Sequence, residues 1–292
     1  MKPLAITIGD PAGIGPEVVE KALAGLDVPV RVFGSAPANV RYGEISAEYG
    51  RMALDAIDQA LDAIARGECS ALVTAPIHKQ SIALAGSPFP GHTELLAARA
   101  GLRRYGQDYA MFFDSPRLRT VLLTVHVPLR EALASIEAVR ISELARLTAR
   151  EYARIHGTQP RIAVAGVNPH AGEGGRFGDE EATIARGVDL ARGDGIEISG
   201  PHPPDTVFLS AARGRYDVVM AMYHDQGLIP VKTLDFEHSV NVTIGLPYLR
   251  VSVDHGTAFD IAGKGIADAA PMRYAIEWAA RHAERFSKSA VM

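Results

Sequence analysis

Cysteine is almost missing from this sequence. Cys69 is the only one, so no internal disulfide can form and the chain suits a reducing compartment, most simply the cytoplasm. Long apolar runs are missing too, and none approaches the roughly 20 residues that cross a bilayer. The N-terminal stretch MKPLAITIGDP reads as a strand entering a turn rather than as a signal peptide. Nor does one charge dominate. Lys and Arg number 30 against 34 Asp and Glu, for a formal net charge of -4. No block of five like charges occurs, so the electrostatic footprint of a nucleic-acid or anionic-membrane binder is absent. Linkers, low-complexity tracts and internal repeats are also lacking. What remains suits small-molecule chemistry: 292 residues, 47% of them hydrophobic. That is enough for one or two domains of about 100 to 200 residues each.

Short β-branched apolar runs alternate with longer segments of Ala, Leu, Arg and Glu at helical spacing, which predicts βα units and a largely parallel sheet. The predicted strands are 4–8, 30–34, 71–75, 109–113, 120–125, 161–167, 218–223 and two within 241–253. The predicted helices are 16–23, 48–66, 93–100, 141–156, 179–192 and 271–286.

The ends of these strands carry the chemistry. Histidines follow five of them: His78, His126, His170, His224 and His255. In open α/β sheets ligands bind outside the carboxyl ends of the strands, so side chains distant in sequence converge there. A single histidine in such a place suits a turn or a satisfied polar position equally well. Three neutral imidazoles on one divalent ion would leave an open coordination position and add no negative charge. His126, His170 and His224 form the best trio, because each ends an apolar strand and precedes turn-forming residues. Asp225 either orients the neighbouring imidazole, binds substrate or caps an Asx-type turn before Gly227. Pro230 then leads that turn to Lys232.

Two glycine-bearing segments differ in kind. GDPAGIGPE (9–17) joins the first strand to the first helix, with Pro16 suited to a first helical position and Glu17 to the positive helix end. It is not the GxGxxG dinucleotide fingerprint. DHGTAFDIAGKGIAD (254–268) places polar residues and three glycines before the last helix, which suits close approach of backbone to a ligand. Lys232, Asn241, Arg250 and the helix opening at Gly91-His92-Thr93-Glu94 together suit a phosphate, the free N–H groups of a helix start holding the anion. Taken alone, Thr93 reads as an N-cap.

GDPAGIGPE, TAPIHK, PGHTELLA, TVHVPLR, NPHAGEGGRFGDEE, DTVF, AMYHDQGLIPVK and VNVTIGLPYLRVSVDHGTAFDIAGKG occur in this order. Together they resemble the 4-hydroxythreonine-4-phosphate dehydrogenase family of vitamin B6 biosynthesis over nearly the whole chain. The resemblance implies a three-layer α/β/α fold like that of isocitrate and isopropylmalate dehydrogenases, with two domains around a cleft. We expect a discontinuous first domain (1–90 plus 268–292) and a second at 91–267. The resemblance also implies a homodimer whose active site draws on both subunits.

Residue by residue, the resemblance puts the divalent-metal ligands (Zn, Mg or Co) on His126, His170 and His224, the trio already reached from strand ends. It puts substrate contacts on His92, Thr93, Lys232, Asn241 and Arg250. The loop that contacts NAD or NADP would be His255, Gly256, Thr257, Ala258, Asp260 and Lys264. Asp205 is expected near the metal as a proton carrier, its alternative being an N-cap or turn after two prolines; Asp225 joins it as a catalytic candidate.

The implied reaction is NAD(P)-linked oxidation of the C3 hydroxyl of 4-phosphooxy-L-threonine, followed by decarboxylation to 3-amino-2-oxopropyl phosphate. A 4-phospho-threonate or erythronate substrate is the alternative within the family-like group. An aromatic cis-dihydrodiol fits the phosphate-binding set less well. A three-histidine metal hydrolase is the alternative from a different class, and a catalytically silent binding protein fits an intact metal trio poorly. The chain departs from the family between the first helix and residue 71, where some tens of residues are absent.

Overall fold

The computed structural model describes residues 2–288. The chain begins with β1 (Leu4–Thr7), α1 (Gly15–Leu23), β2 (Val30–Phe33), α2 (Ala47–Ala65), β3 (Ala71–Thr74), α3 (Lys79–Leu84) and α4 (His92–Arg99). It continues through β4 (Ala110–Asp114), β5 (Arg119–Leu122), α5 (Leu129–Ala134), α6 (Ala138–His156) and β6 (Ile162–Ala165). A 3-10 turn (Pro169–Glu173) precedes α7 (Glu180–Gly193), β7 (Ile198–His202), α8 (Pro204–Ala212), β8 (Val218–Ala221) and α9 (His224–Asp235). The last elements are β9 (Val240–Ile244), β10 (Leu249–Ser252) and α10 (Ala270–Lys288).

Two compact units divide the chain. The first holds the residues up to Gly101, Val240–Val242 and the chain from Leu246 onward; the second holds Leu102–Ser239 and Thr243–Gly245. The division expected from the sequence had its bounds at 91 and 267. Strand β10 pairs in parallel with β3, and Arg99 at the end of α4 makes a two-pronged ion pair with Asp58 of α2 at 2.8 and 3.0 Å. These links tie the regions around 91–101 and 246–267 to the first unit.

Strands of the first unit run in the order β2-β1-β3-β10-β9, and those of the second in the order β4-β5-β8-β6-β7. Within these two orders the pairs are parallel except β9 with β10 and β4 with β5, so the strand pairing is mixed. Both exceptions are joined by short turns, which only antiparallel neighbours allow. The all-apolar runs are strands buried on both faces: Leu4, Ala5, Ile6, Leu72 and Val73 have no exposure. Helix α1 buries Val18, Val19 and Ala22 along one face, as its 3.6-residue pattern requires. The core of the second unit gathers Phe113, Leu122, Val219, Leu228 and Val231.

Local chemistry sets the boundaries. Ser46 caps α2 by accepting from the Glu48 N–H at 3.1 Å, and Gly157 ends α6 at φ 83°. The expected turn after residue 223 is instead α9, which contains both Gly227 and Pro230. Gly227 is there for packing: a side chain would strike Leu122 and Ala221 of the sheet beneath. The edge strand β7 was not predicted because ISGPH carries a glycine and a proline, which a sheet tolerates only at its margin. Among the described residues no helix is long and apolar enough to cross a membrane.

Candidate functional site

In the second unit the three candidate ligands leave adjacent strands. Strands β5, β8 and β6 are parallel neighbours, so their carboxyl ends share one edge. His126 follows β5, His224 follows β8 as the first residue of α9, and His170 lies in the 3-10 turn after β6. The His126 and His224 rings stand 5.7 Å apart, tilted by 42°. Nδ1 of His224 is held 2.7 Å from Oδ1 of Asp225, so Nε2 is the nitrogen of that ring that could take a metal. Asp225 therefore faces the imidazole from the first turn of α9 rather than capping a turn before Gly227.

Two imidazoles bound to one zinc at about 2.0 to 2.1 Å hold their ring centres roughly 5 Å apart, so this pair fits a shared ion. Among the described residues, no three His, Cys, Asp or Glu side chains are already gathered to hold one. His170 is the member not brought to the same point. It is exposed and left-handed (φ 54°), and positive φ continues through Ala171 (55°), Gly172 (75°), Glu173 (42°), Gly174 (70°) and Gly175 (94°). Each non-glycine residue there costs roughly 1 to 2 kcal/mol.

Side chains that spacing did not reveal hold these strand ends. Glu181, 7% exposed, accepts hydrogen bonds from the Val167 and Asn168 N–H groups at 2.9 and 2.8 Å and from Asn168 Nδ2 at 2.8 Å. Burial pushes its carboxyl up, but the bonds from Asn168 and Val167 outweigh that and hold it below the usual carboxylate range. Gln226 bonds to both β8 and β6 segments. A glutamate or glutamine alone in a sequence carries no periodicity, so only the acidic start of α7 hinted at the first. Asp205 lies in the first turn of α8 behind Pro203, and the Lys232 ammonium lies 5.9 Å from the centre of the Phe236 ring on α9.

The first unit holds the anion candidates other than Lys232. Arg250 on β10 is 1% exposed, and its Nη2 donates to Thr74 Oγ1 at 2.7 Å. Burial lowers its pKa to about 10, with Tyr248 and Glu94 opposing, so it stays cationic at neutral pH. His92 opens α4, and burial, then the Arg250 charge, holds its imidazole neutral well below the ordinary range. Gly91 is the N-cap and makes no side-chain bond, so Thr93, 6% exposed, lies inside the helix and is not the cap. Asn241 stands opposite Ser252 on β9, and its Oδ1, like Nε2 of His92, is buried without a hydrogen-bond partner. Such groups cost about 1 to 3 kcal/mol each unless a ligand pairs them.

The candidate cofactor loop also belongs to the first unit, where the GDPAGIGPE turn backs it. The Ile14 N–H donates to the Thr257 carbonyl at 3.0 Å, and the Ala267 N–H to Glu17 Oε1 at 2.9 Å. Lys21 Nζ reaches the carbonyls of Gly265 and Ala267 at 2.9 and 3.0 Å. His78 accepts the Ser81 N–H as the cap of α3 and stacks on Phe259, ring centres 4.6 Å apart. Gly15 is required because a side chain would strike the Ile8 carbonyl. His255 Nδ1 lies 3.0 Å from the Gly256 carbonyl, Ala258 is left-handed at φ 42°, and Gly256, Asp260 and Lys264 are exposed. A Cβ on Gly256 or Gly265 would meet open space, so the loop presents bare backbone there.

Residues 14–279 match the family described as "Pyridoxal phosphate biosynthetic protein PdxA". The chain is similar to a Beijerinckia indica protein named 4-hydroxythreonine-4-phosphate dehydrogenase, 43% identical over 326 residues that cover 96% of this chain and 94% of the relative. It is also similar to a Salmonella typhimurium protein named D-threonate 4-phosphate dehydrogenase, 40% identical over 324 residues that cover 95% and 98%. The crystal structure of 4-hydroxythreonine-4-phosphate dehydrogenase from Klebsiella pneumoniae gives a TM-score of 0.87 at 40% identity, covering 97% of this chain and 100% of that one. At 18% identity and a TM-score of 0.50, isocitrate dehydrogenase from Methylococcus capsulatus shares the fold alone, over 94% and 83%. The expected isocitrate dehydrogenase-like α/β fold is the observed one. An alignment of 326 positions exceeds the 292-residue chain, so the Beijerinckia relative carries residues with no counterpart here.

Proposed function

The chain belongs to the pyridoxal phosphate biosynthetic PdxA family, and from that premise we propose an NAD- or NADP-linked oxidation of the C3 hydroxyl of 4-phosphooxy-L-threonine, followed by decarboxylation to 3-amino-2-oxopropyl phosphate. It is an oxidoreductase acting on CH–OH. The observation that carries the substrate class is Arg250, a guanidinium 1% exposed that stays charged in the same unit as the uncapped start of α4. A buried cation and free helical N–H groups favour a compact, multiply charged anion such as a phosphate.

Arg250, Thr93, His92 and Asn241 of the first unit bind the phosphate and orient the substrate toward the nicotinamide, and Lys232 is a further substrate contact by the family resemblance. His92, held neutral, donates or accepts a hydrogen bond without adding charge. His126, His170 and His224 would hold one Zn, Mg or Co ion per subunit, and Asp225 fixes the His224 tautomer through Nδ1. When bound, the ion supplies Lewis acidity at the substrate hydroxyl and the dinucleotide accepts the hydride. Asp205 moves the proton, and residues 255–264 bind the dinucleotide. A homodimer whose active site draws on both subunits completes this reading.

A second reading has a specific observation behind it, the 40% identity to the protein named D-threonate 4-phosphate dehydrogenase. The anion residues suit either substrate, because amine and hydroxyl differ at C2 and not at the phosphate. Formation of NADH or NADPH with 4-phosphooxy-L-threonine and D-threonate 4-phosphate side by side decides between them. Chelator should abolish turnover of the true substrate. Turnover without nicotinamide would point to a three-histidine metal hydrolase.

A further inference from the structure

We infer that Gln226 and Glu181 are positioning residues that set where the three candidate ligand histidines stand; the inference rests on the metal reading above. The ends of β5, β8 and β6 are cross-linked by side chains in addition to strand pairing. Thr124 Oγ1 donates to the Met222 carbonyl at 2.8 Å. The Met222 N–H donates to Gln226 Oε1 at 2.7 Å, and Gln226 Nε2 donates to the Gly166 carbonyl at 2.7 Å. One primary amide thus ties the segment that leads to His224 to the segment that leads to His170. It uses one acceptor and one donor, which an ionised glutamate or an apolar side chain cannot supply together.

Glu181 takes over one residue later. Its Oε1 accepts the N–H groups of Val167 and Asn168, and its Oε2 accepts Asn168 Nδ2. The loop folds closely round this carboxylate: a Cβ on Gly166 would stand 3.1 Å from Oε1, and one on Gly172 2.9 Å from Oε2. Between those glycines lies His170, in the run of positive φ. Strained conformers persist only where their surroundings over-determine them. Glu181 and Gln226 supply that constraint through hydrogen bonds to residues 166–168, so they act on the ligand through the backbone that leads to it.

Zinc affinity, inorganic phosphate affinity and amide hydrogen exchange of residues 166–173 in metal-free protein test this in Gln226→Met, Gln226→Glu and Glu181→Gln. Zinc binding should weaken about 10- to 100-fold, phosphate binding should stay at the wild-type level, and the Val167 and Asn168 amides should exchange faster. Gln226→Glu keeps the acceptor for Met222 and loses the donor to Gly166, so its effect should be the mildest at the β8 end. Wild-type zinc affinity in all three variants would overturn the inference. So would joint loss of zinc and phosphate binding with a collapsed Tm, which marks a purely structural role. His224→Ala run in parallel separates the two readings. If it retains zinc, the metal assignment fails, and unchanged exchange over 166–173 would still sink the clamp on its own.

Discussion

In the first unit Arg250 is buried and His92 is half-buried with its Nε2 shielded from water, whereas in the second His126 and His170 are exposed and His224 is half-buried. On the proposed function, the difference reflects what each group would bind. An anion is recognised best by a cation removed from water, where a low local dielectric strengthens the attraction and the ligand relieves the desolvation cost. A metal ligand must be neutral and reachable, and its quality lies in position more than in burial. Accordingly the first unit invests in buried polar groups with unmet valence, and the second in hydrogen bonds that hold three strand ends.

The comparison breaks first at His224. Replacing it with Ala should remove metal at wild-type stoichiometry and cut turnover roughly a thousandfold or more, since Lewis-acid stabilisation is worth several kcal/mol at about 1.4 kcal/mol per tenfold. Metal analysis with the dehydrogenase assay checks this; retained metal and full activity would remove the trio from consideration. Arg250→Ala should weaken substrate binding by about 2 to 5 kcal/mol and leave dinucleotide affinity nearly unchanged, as calorimetry can show. Equal losses of both ligands would count against the phosphate role.

A smaller effect comes from pH. His92 has a folded pKa well below its ordinary 6.5, so the unfolded chain binds the extra proton first. Its contribution is fully present above that value and is lost as pH falls toward the folded pKa. The Tm of wild type should therefore drop more steeply between neutral and mildly acid pH than that of His92→Gln; parallel curves would refute a buried neutral imidazole. Smallest of all, Ala171→Gly should raise stability by up to about 1 kcal/mol by relieving left-handed strain. Denaturant melts would read this, and in the metal-free protein a loss of stability would mean that the Ala171 methyl packing outweighs the strain.

Much of the architecture was legible because burial leaves a periodic trace. The apolar runs at 4–7, 71–74 and 218–221 are strands, and the helical spacing at 141–156 and 271–286 marks α6 and α10 within a few residues. The histidines after three strands were also legible, since β-strand ends are punctuated by turn residues. Helix α9 was not, because Gly227 and Pro230 carry turn chemistry locally and the sheet overrides it by demanding close approach. The return of β10 to β3 from far along the chain was not legible either, because pairing at that separation has no local signal.

By itself, then, the sequence determined which groups were available: a histidine after each of three apolar runs, an arginine within the strand region 241–253, and a glycine-rich loop. Residue type and local period are enough for that. Tertiary structure alone decided that β5, β8 and β6 are neighbours, that His126 and His224 stand 5.7 Å apart while His170 is held on a strained turn, and that Arg250 is buried. Those are consequences of non-local strand order and of hydrogen bonds such as those of Gln226 and Glu181, whose partners lie far off or across a strand end.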